Sequence, residues 1–267
     1  MRRAAEEGRL RYHRRFVSKY LSTPRDLIVY LPPGYDGSRA ARYPVLYLQD
    51  GQNLFDPATA FGGNDWQVDV TADRLIEEGV IRPLIIVGIY NTGVRRISEY
   101  TPTRDPRYNK GGKADRYAQM LAREIKPFTD TEYRTVKSAW NTGIGGSSLG
   151  ALTALHTGMC YPSVFGNLAL ISPSVWWDSR AVLPIVSGFR ASMRPRIWLD
   201  IGTDEGNNPQ KIVDDARLLR DALVSKGWSE NENLCYQEFE GAGHDEAAWA
   251  ARFGLILEYF YGRKPAE

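Results

Sequence analysis

The chain has 267 residues, a net charge of +2, and 43% hydrophobic and 25% charged residues, which is ordinary for one globular α/β domain with a sizeable core. That near-neutral balance argues against a nucleic-acid partner, and no apolar run reaches the length of a membrane span, so no membrane partner is expected. Two cysteines, Cys160 and Cys235, are too few for a disulfide framework, and His13, His156 and His244 share no metal-ligand spacing, so neither metal nor cofactor is expected.

Met1 to Leu10 is arginine-rich without a hydrophobic segment, so a secretory signal is not expected there. A cytoplasmic location is favoured, with a secreted mature form as the alternative, and nothing sets the oligomeric state. Residues 1–24 read as a partly ordered extension. Asp26 to Leu31 is a β-rich run stopped by Pro32-Pro33-Gly34. Pro44 to Gln49 is nearly continuous in apolar residues, as suits a strand buried on both faces of a parallel sheet. Asp50-Gly51-Gln52 follows it directly, a tight turn at the carboxyl end of a strand, where ligands of open α/β sheets bind.

Asp65 to Glu78 has helical spacing, with Gly79 as its stop, and Pro83 to Ile89 is a second buried parallel strand. Asn91 to Asn109 reads as a long irregular loop, and loops of that length in a compact domain are usually functional. Arg116 to Asp130 is helical. Asn167 to Ser172 is a strand followed by Pro173-Ser174-Val175-Trp176-Trp177-Asp178, and at least one of the two adjacent tryptophans is expected to face a cleft. Arg196 to Gly202 is the next strand, followed by Thr203-Asp204-Glu205-Gly206. Pro209 enters a helix that Gly227 ends. Leu234 to Phe239 is the last strand, Gly243-His244-Asp245-Glu246 follows it, and a helix runs from about Ala247 to Tyr261. No repeat or linker interrupts the chain, so one domain is expected to span 1–267.

The chemistry centres on Gly146-Ser147-Ser148-Leu149-Gly150, a Gly-x-Ser-x-Gly stretch between a short strand-like segment and a helical run. In that context the serine sits on a sharp strand-to-helix turn, and the N–H of Leu149 points at the place where an oxyanion would form. A second donor is expected from Gly51 or Gln52. A serine hydroxyl needs a base, and the base an orienting acid. The order Ser148, then Asp204 or Glu205, then His244 matches that of α/β-hydrolases, and each lies in a loop directly after a strand. His156 lies eight residues along the helix that follows Ser148, roughly 12 Å away, so it is not the base.

These residues resemble the putative-esterase family of α/β-hydrolases, which includes enterochelin and related siderophore esterases, feruloyl and acetyl xylan esterases, formylglutathione hydrolases and mycolyltransferases. Val29-Tyr30-Leu31-Pro32-Pro33-Gly34-Tyr35, Pro44 to Phe55, Arg96 with Glu99-Tyr100-Thr101-Pro102, Gly145 to Gly150, and Gly243 to Glu246 with Trp249 carry the likeness. It implies an α/β-hydrolase fold, a mostly parallel central sheet with helices on both faces, with Ser148 as nucleophile and His244 as base. Relatives with a similar Gly-Thr-x-Glu-Gly loop point to Glu205 over Asp204 as the acid. Asp50-Gly51-Gln52, where many esterases of this fold have His-Gly, resembles the siderophore and carbohydrate-ester branches.

The expected function is a serine carboxylesterase acting on a small-molecule or oligosaccharide ester, an aryl (feruloyl-type) or acetyl ester on a carbohydrate. Trp176, Trp177, Arg96 and Asp50 are the candidate substrate contacts. The alternative is a siderophore trilactone, whose catecholates would meet Arg95, Arg96 or Arg104. A reading of another class is a non-catalytic ligand-binding module on an esterase scaffold, but such a module should lack a triad member, and none is missing.

Overall fold

The computed structural model describes residues 9–230 and 232–263. The expectations for Met1 to Gly8 therefore lie outside the described residues. In chain order the principal strands are β1 (Leu10–Phe16), β2 (Arg25–Tyr30), β3 (Val45–Gln49), β4 (Ile85–Ile89), a small hairpin β5 (Arg104–Asp105) and β6 (Lys110–Gly111), β7 (Thr142–Ser147), β8 (Asn167–Ile171), β9 (Arg196–Gly202) and β10 (Leu234–Phe239). The helices are α1 (Val68–Glu77), α2 (Arg96–Tyr100), α3 (Ala114–Met120), α4 (Lys126–Glu132), α5 (Leu149–Cys160), α6 (Val182–Ser187), α7 (Pro209–Ser225) and α8 (Glu246–Tyr261). A π turn over Leu121–Ile125 joins α3 to α4.

Eight strands form one sheet in the order β1-β2-β4-β3-β7-β8-β9-β10. β1, β2 and β4 pair antiparallel, and every pair from β4 to β10 is parallel. Chemistry-bearing loops leave β3, β7, β8, β9 and β10 at one edge, because parallel strands put their carboxyl ends together. This is the α/β-hydrolase fold.

The all-buried patterns of β3, β4 and β8 follow from helices on both faces of the sheet. Alternate side chains of β3 split between two cores. Val45 and Tyr47 join the core under α3, α5, α6 and α7, with Met120, Leu152, Val186 and Leu219. Leu46 and Leu48 join the opposite core under α1 and α8, with Ala72, Leu75, Phe253 and Leu257.

Three segments differ from the sequence reading. Residues 10–16, expected within an extension, form the antiparallel edge strand β1, whose mixed burial reflects one partner strand and charged side chains. Residues 91–109 are not wholly irregular: they hold α2 and β5, with β6 pairing just beyond. The short helix α6, between Trp177 and β9, carried no expected helical pattern.

Candidate active site

β7 runs directly into the turn that carries Ser148. Ser148 has φ 58° and ψ −122°, a conformation that L-residues rarely adopt, and α5 begins at the next residue. Such a conformation costs roughly 1–3 kcal/mol and persists only where the surroundings impose it. Here Ser148 N–H donates to Ile171 O at 3.0 Å, and Ser148 O accepts from Ser174 N–H at 3.2 Å, which pins the turn to β8 and its loop. The flanking glycines are required by close approach. A Cβ on Gly146 would lie 2.9 Å from Gln49 Cβ, and one on Gly150 would lie 3.1 Å from the same atom.

Leu149 opens α5, and its N–H precedes the first intrahelical bond, from Leu152 N–H to Ser148 O. Across the sheet, Asp50 (φ 57°) turns the chain after β3 into a single 3-10 turn over Gly51–Asn53. A Cβ on Gly51 would sit 2.6 Å from the Gly88 carbonyl carbon and 2.8 Å from Ile89 N, so only glycine lets this turn lie against β4. Asp50 is fixed by Arg96, whose Nε and Nη2 donate at 2.8 and 2.7 Å, and by Asn91 Nδ2 at 2.7 Å. Asn53 Nδ2 donates to Glu246 Oε1 at 3.0 Å, tying the same turn to the start of α8. Burial, with Asp50 and Asp245 nearby, pushes the Glu246 carboxyl above its ordinary range.

His244 lies just before α8, whose N-cap is Asp245, accepting from Ala248 N–H at 2.9 Å. Its Nδ1 meets Glu205 Oε2 at 2.7 Å. The other Glu205 oxygen accepts from Gly202 N–H at 2.8 Å and from the Ser172 hydroxyl at 2.5 Å. Ser172 Oγ in turn accepts from Trp249 Nε1 at 3.0 Å and Arg252 Nη2 at 2.6 Å. Arg252 is held by Asp200 at 2.9 Å and lies 3.7 Å from Glu205 Oε1. Burial pushes the Asp200 carboxyl up, against the pull of Arg252. Asp200, Arg252 and Glu205 are all buried beneath His244. The indole of Trp249 stands edge-on to the imidazole, centroids 5.0 Å apart.

Ser148 and His244 line the same two cavities. One, of about 340 Å³, is bounded by Asp50, Gln52, Asn91, Arg96, Glu246 and Trp249. The other, of about 230 Å³, is bounded by Pro173, Ser174, Trp176, Glu205 and Ile212. The Ser148 hydroxyl bonds Ser174 Oγ at 3.0 Å, not the imidazole. Catalytic hydrogen bonds are often long without substrate, so this leaves His244 in place as a candidate base.

The sequence-predicted residues divide clearly. Ser148, His244, Glu205, Gln52, Asp50, Arg96 and Trp176 line the two cavities, and Leu149 and Gly51 adjoin them in the chain. Asp204 faces solvent, and Glu205 alone of the adjacent pair meets His244. Trp177 does not face the cleft. It is 2% exposed, its Nε1 donates to Thr103 O at 3.1 Å, and its ring stacks on Tyr108. Two neighbouring indoles on one turn diverge, and Trp176 takes the cavity side. Arg96 is neutralised by Asp50, while Arg95 reaches Ser22 and Arg104 pairs with Asn109 away from the cleft.

Sequence reasoning missed Ser172, Ser174 and Arg252. Arg252 carried a signal: it lies three residues after Trp249, among Phe253 and Ile256 on the apolar stripe of α8, where a charge needs a buried partner.

The family model described as "Putative esterase" matches residues 18–260. A siderophore enterobactin esterase of Emericella nidulans is 31% identical over 223 residues, 74% of this chain and 71% of that protein. An endo-1,4-beta-xylanase/feruloyl esterase of Xylanibacter ruminicola is 28% identical over 210 residues, 74% of this chain but 26% of that longer protein. The crystal structure of the BES protein from Bacillus cereus superposes with a TM-score of 0.77 at 21% identity, covering 96% of this chain and 95% of that one, a likeness of fold.

Proposed function

The chain belongs to the putative esterase family, a carboxylesterase by that membership, and on this premise we infer that Ser148, His244 and Glu205 are its catalytic triad. The observation that carries the reading is the His244–Glu205 contact of 2.7 Å on the rim of the cavities that also hold the strained Ser148. A carboxylate on Nδ1 holds the proton there and leaves Nε2 bare. Nε2 takes the Ser148 proton as Oγ attacks the ester carbonyl, forming the C–O bond of a tetrahedral intermediate. The oxyanion is met by the N–H groups of Leu149 and of Gln52 or Gly51. The carbonyl reforms, the alcohol leaves with the proton from Nε2, and water, deprotonated by the same imidazole, releases the acid.

For substrate, the proposal is an aryl or acetyl ester on a carbohydrate. Trp176 and Ile212 give one cavity a flat apolar wall, and Asn91, Gln52 and Glu246 give the other hydroxyl-binding groups. The siderophore trilactone remains the second reading, supported by the likeness to the Emericella nidulans enzyme. Against it, Arg96 already spends both arms of its guanidinium on Asp50. Two assays decide. Ser148→Ala should abolish hydrolysis of a short p-nitrophenyl ester, and retention of most activity would remove the triad. Incubation with methyl ferulate and with ferric enterobactin should show cleavage of the first, and cleavage of the second alone would reverse the substrate assignment.

A further inference from the structure

Far from the catalytic edge, at the end of α5 opposite Ser148, three donor side chains meet. His156 and Cys160 are four residues apart, hence one above the other on the same helical face. Asp115, in the first turn of α3, faces them across the helix pair. His156 Nε2 lies 2.7 Å from Asp115 Oδ1 and 3.7 Å from Cys160 Sγ, and all three donor atoms lie within 4.8 Å of one another. The sequence reading expected no metal because it compared histidines with one another. The cluster instead combines a His-x-x-x-Cys pair with an aspartate 41 residues earlier than the histidine.

We propose that Asp115, His156 and Cys160 form a Zn²⁺-class binding site with one outward position left to water. Imidazole, thiolate and carboxylate are the donors this ion takes, and bonds of about 2.0–2.3 Å at tetrahedral angles set donors roughly 3.3–3.8 Å apart. The His156–Cys160 separation already falls there. The His156–Asp115 edge, at 2.7 Å, needs to open by roughly 0.6–1.1 Å, within reach of a carboxylate that is 76% exposed. Asp115 and Cys160 are both exposed, so the fourth position opens to solvent. Charge balances as well: a dication, one carboxylate and one thiolate sum to zero, and the proton lost on binding is that of the thiol.

One feature sets the affinity. His156 Nδ1 is buried and has no hydrogen-bond partner. A metal on Nε2 puts the ring proton on Nδ1, where no acceptor awaits it, at a cost of about ten- to a hundredfold in affinity. The site is therefore expected to bind in the micromolar range, weaker than a structural zinc centre, and to clamp α3 to α5.

The test uses the full chain, reduced and freed of metal with a chelator, titrated with Co²⁺ and then with Zn²⁺. Co²⁺ should give the visible bands of a four-coordinate ion and a thiolate-to-cobalt charge-transfer band in the near ultraviolet, both removed by Zn²⁺. Cys160→Ser should lose the charge-transfer band, and Asp115→Asn should weaken binding at least about tenfold. Both positions are exposed, so both variants should fold and keep ester hydrolysis, and Cys235→Ala should change nothing. Absence of the charge-transfer band in the unaltered chain, its persistence in Cys160→Ser, its loss in Cys235→Ala, or unchanged affinity in Asp115→Asn would each overturn the proposal.

Discussion

For the triad proposed above, Glu205→Gln separates the orienting role assigned to the carboxylate from its bulk. In the native site Oε1 faces two donors, Gly202 N–H and the Ser172 hydroxyl, and Oε2 faces His244 Nδ1. A glutamine must choose. With its amide nitrogen toward Gly202 and Ser172, donors face donors, and at least one buried N–H loses its acceptor, about 1–3 kcal/mol. Arg252, 3.7 Å from that oxygen, adds a further preference for keeping oxygen there. The amide nitrogen therefore turns toward His244, donates to Nδ1, and drives the imidazole proton onto Nε2, the atom required to be bare. The fold survives, while the base is lost. The expected fall in kcat is about 10⁴, the size seen when the orienting acid of a serine protease triad is made an amide, or roughly 5.5 kcal/mol of barrier. Steady-state hydrolysis of p-nitrophenyl acetate measures it, with thermal unfolding as the control for folding and Asp204→Asn, expected within about twofold of the unaltered enzyme, as the control for charge. A Glu205→Gln enzyme within tenfold of the parent would refute the reasoning, and so would a large loss in Asp204→Asn.

The adjacent tryptophans should part company. Trp177→Ala empties a buried indole site and is expected to cost about 3–5 kcal/mol in denaturant unfolding, whereas Trp176→Ala should leave stability nearly unchanged and raise KM for methyl ferulate roughly three- to tenfold. Equal effects on stability would contradict the placement of the two rings. At low pH, Asp105 is the reporter. The hydrogen bond from the Arg107 guanidinium, helped by the N–H groups of Arg107 and Asp178, pulls its carboxyl from the ordinary 3.8 down to about 2. A depressed carboxyl stabilises the fold above its unfolded pKa and loses that contribution as pH falls toward the folded value. The gap in Tm between the parent and Asp105→Asn should be full above about pH 4 and close between about pH 4 and 2; a gap constant across that window would show that the pair does not set it.

Much of this was legible because the signals are local. Val45 to Gln49, Ile85 to Ile89 and Asn167 to Ile171 are continuous apolar runs, and only a sheet covered on both faces tolerates them. The Ser148 turn was legible because Gly146 and Gly150 answer a steric demand set within a few residues. β1 was not, since Leu10 to Phe16 contains four basic residues and its register is supplied by β2. Asp204 and Glu205 could not be separated by spacing, because neighbours in sequence differ only in the direction they face. The support beneath Glu205 was hidden for the opposite reason: Ser172, Arg252 and Asp200 come from three separate elements and meet only when β8, β9 and α8 are packed together.

Ser148 and His244 line both hollows of the cleft, and for the proposed triad that has a kinetic corollary. An ester spanning the two has its acid half on one side and its alcohol half on the other. On the proposed mechanism, departure of the alcohol empties its compartment while an acyl group on Ser148 still fills the neighbouring one. Water can then approach the acyl carbon through the vacated side, so the first product need not pass the second on its way out. An enzyme so divided can accept a bulky group on either side of the bond without trapping one product behind the other.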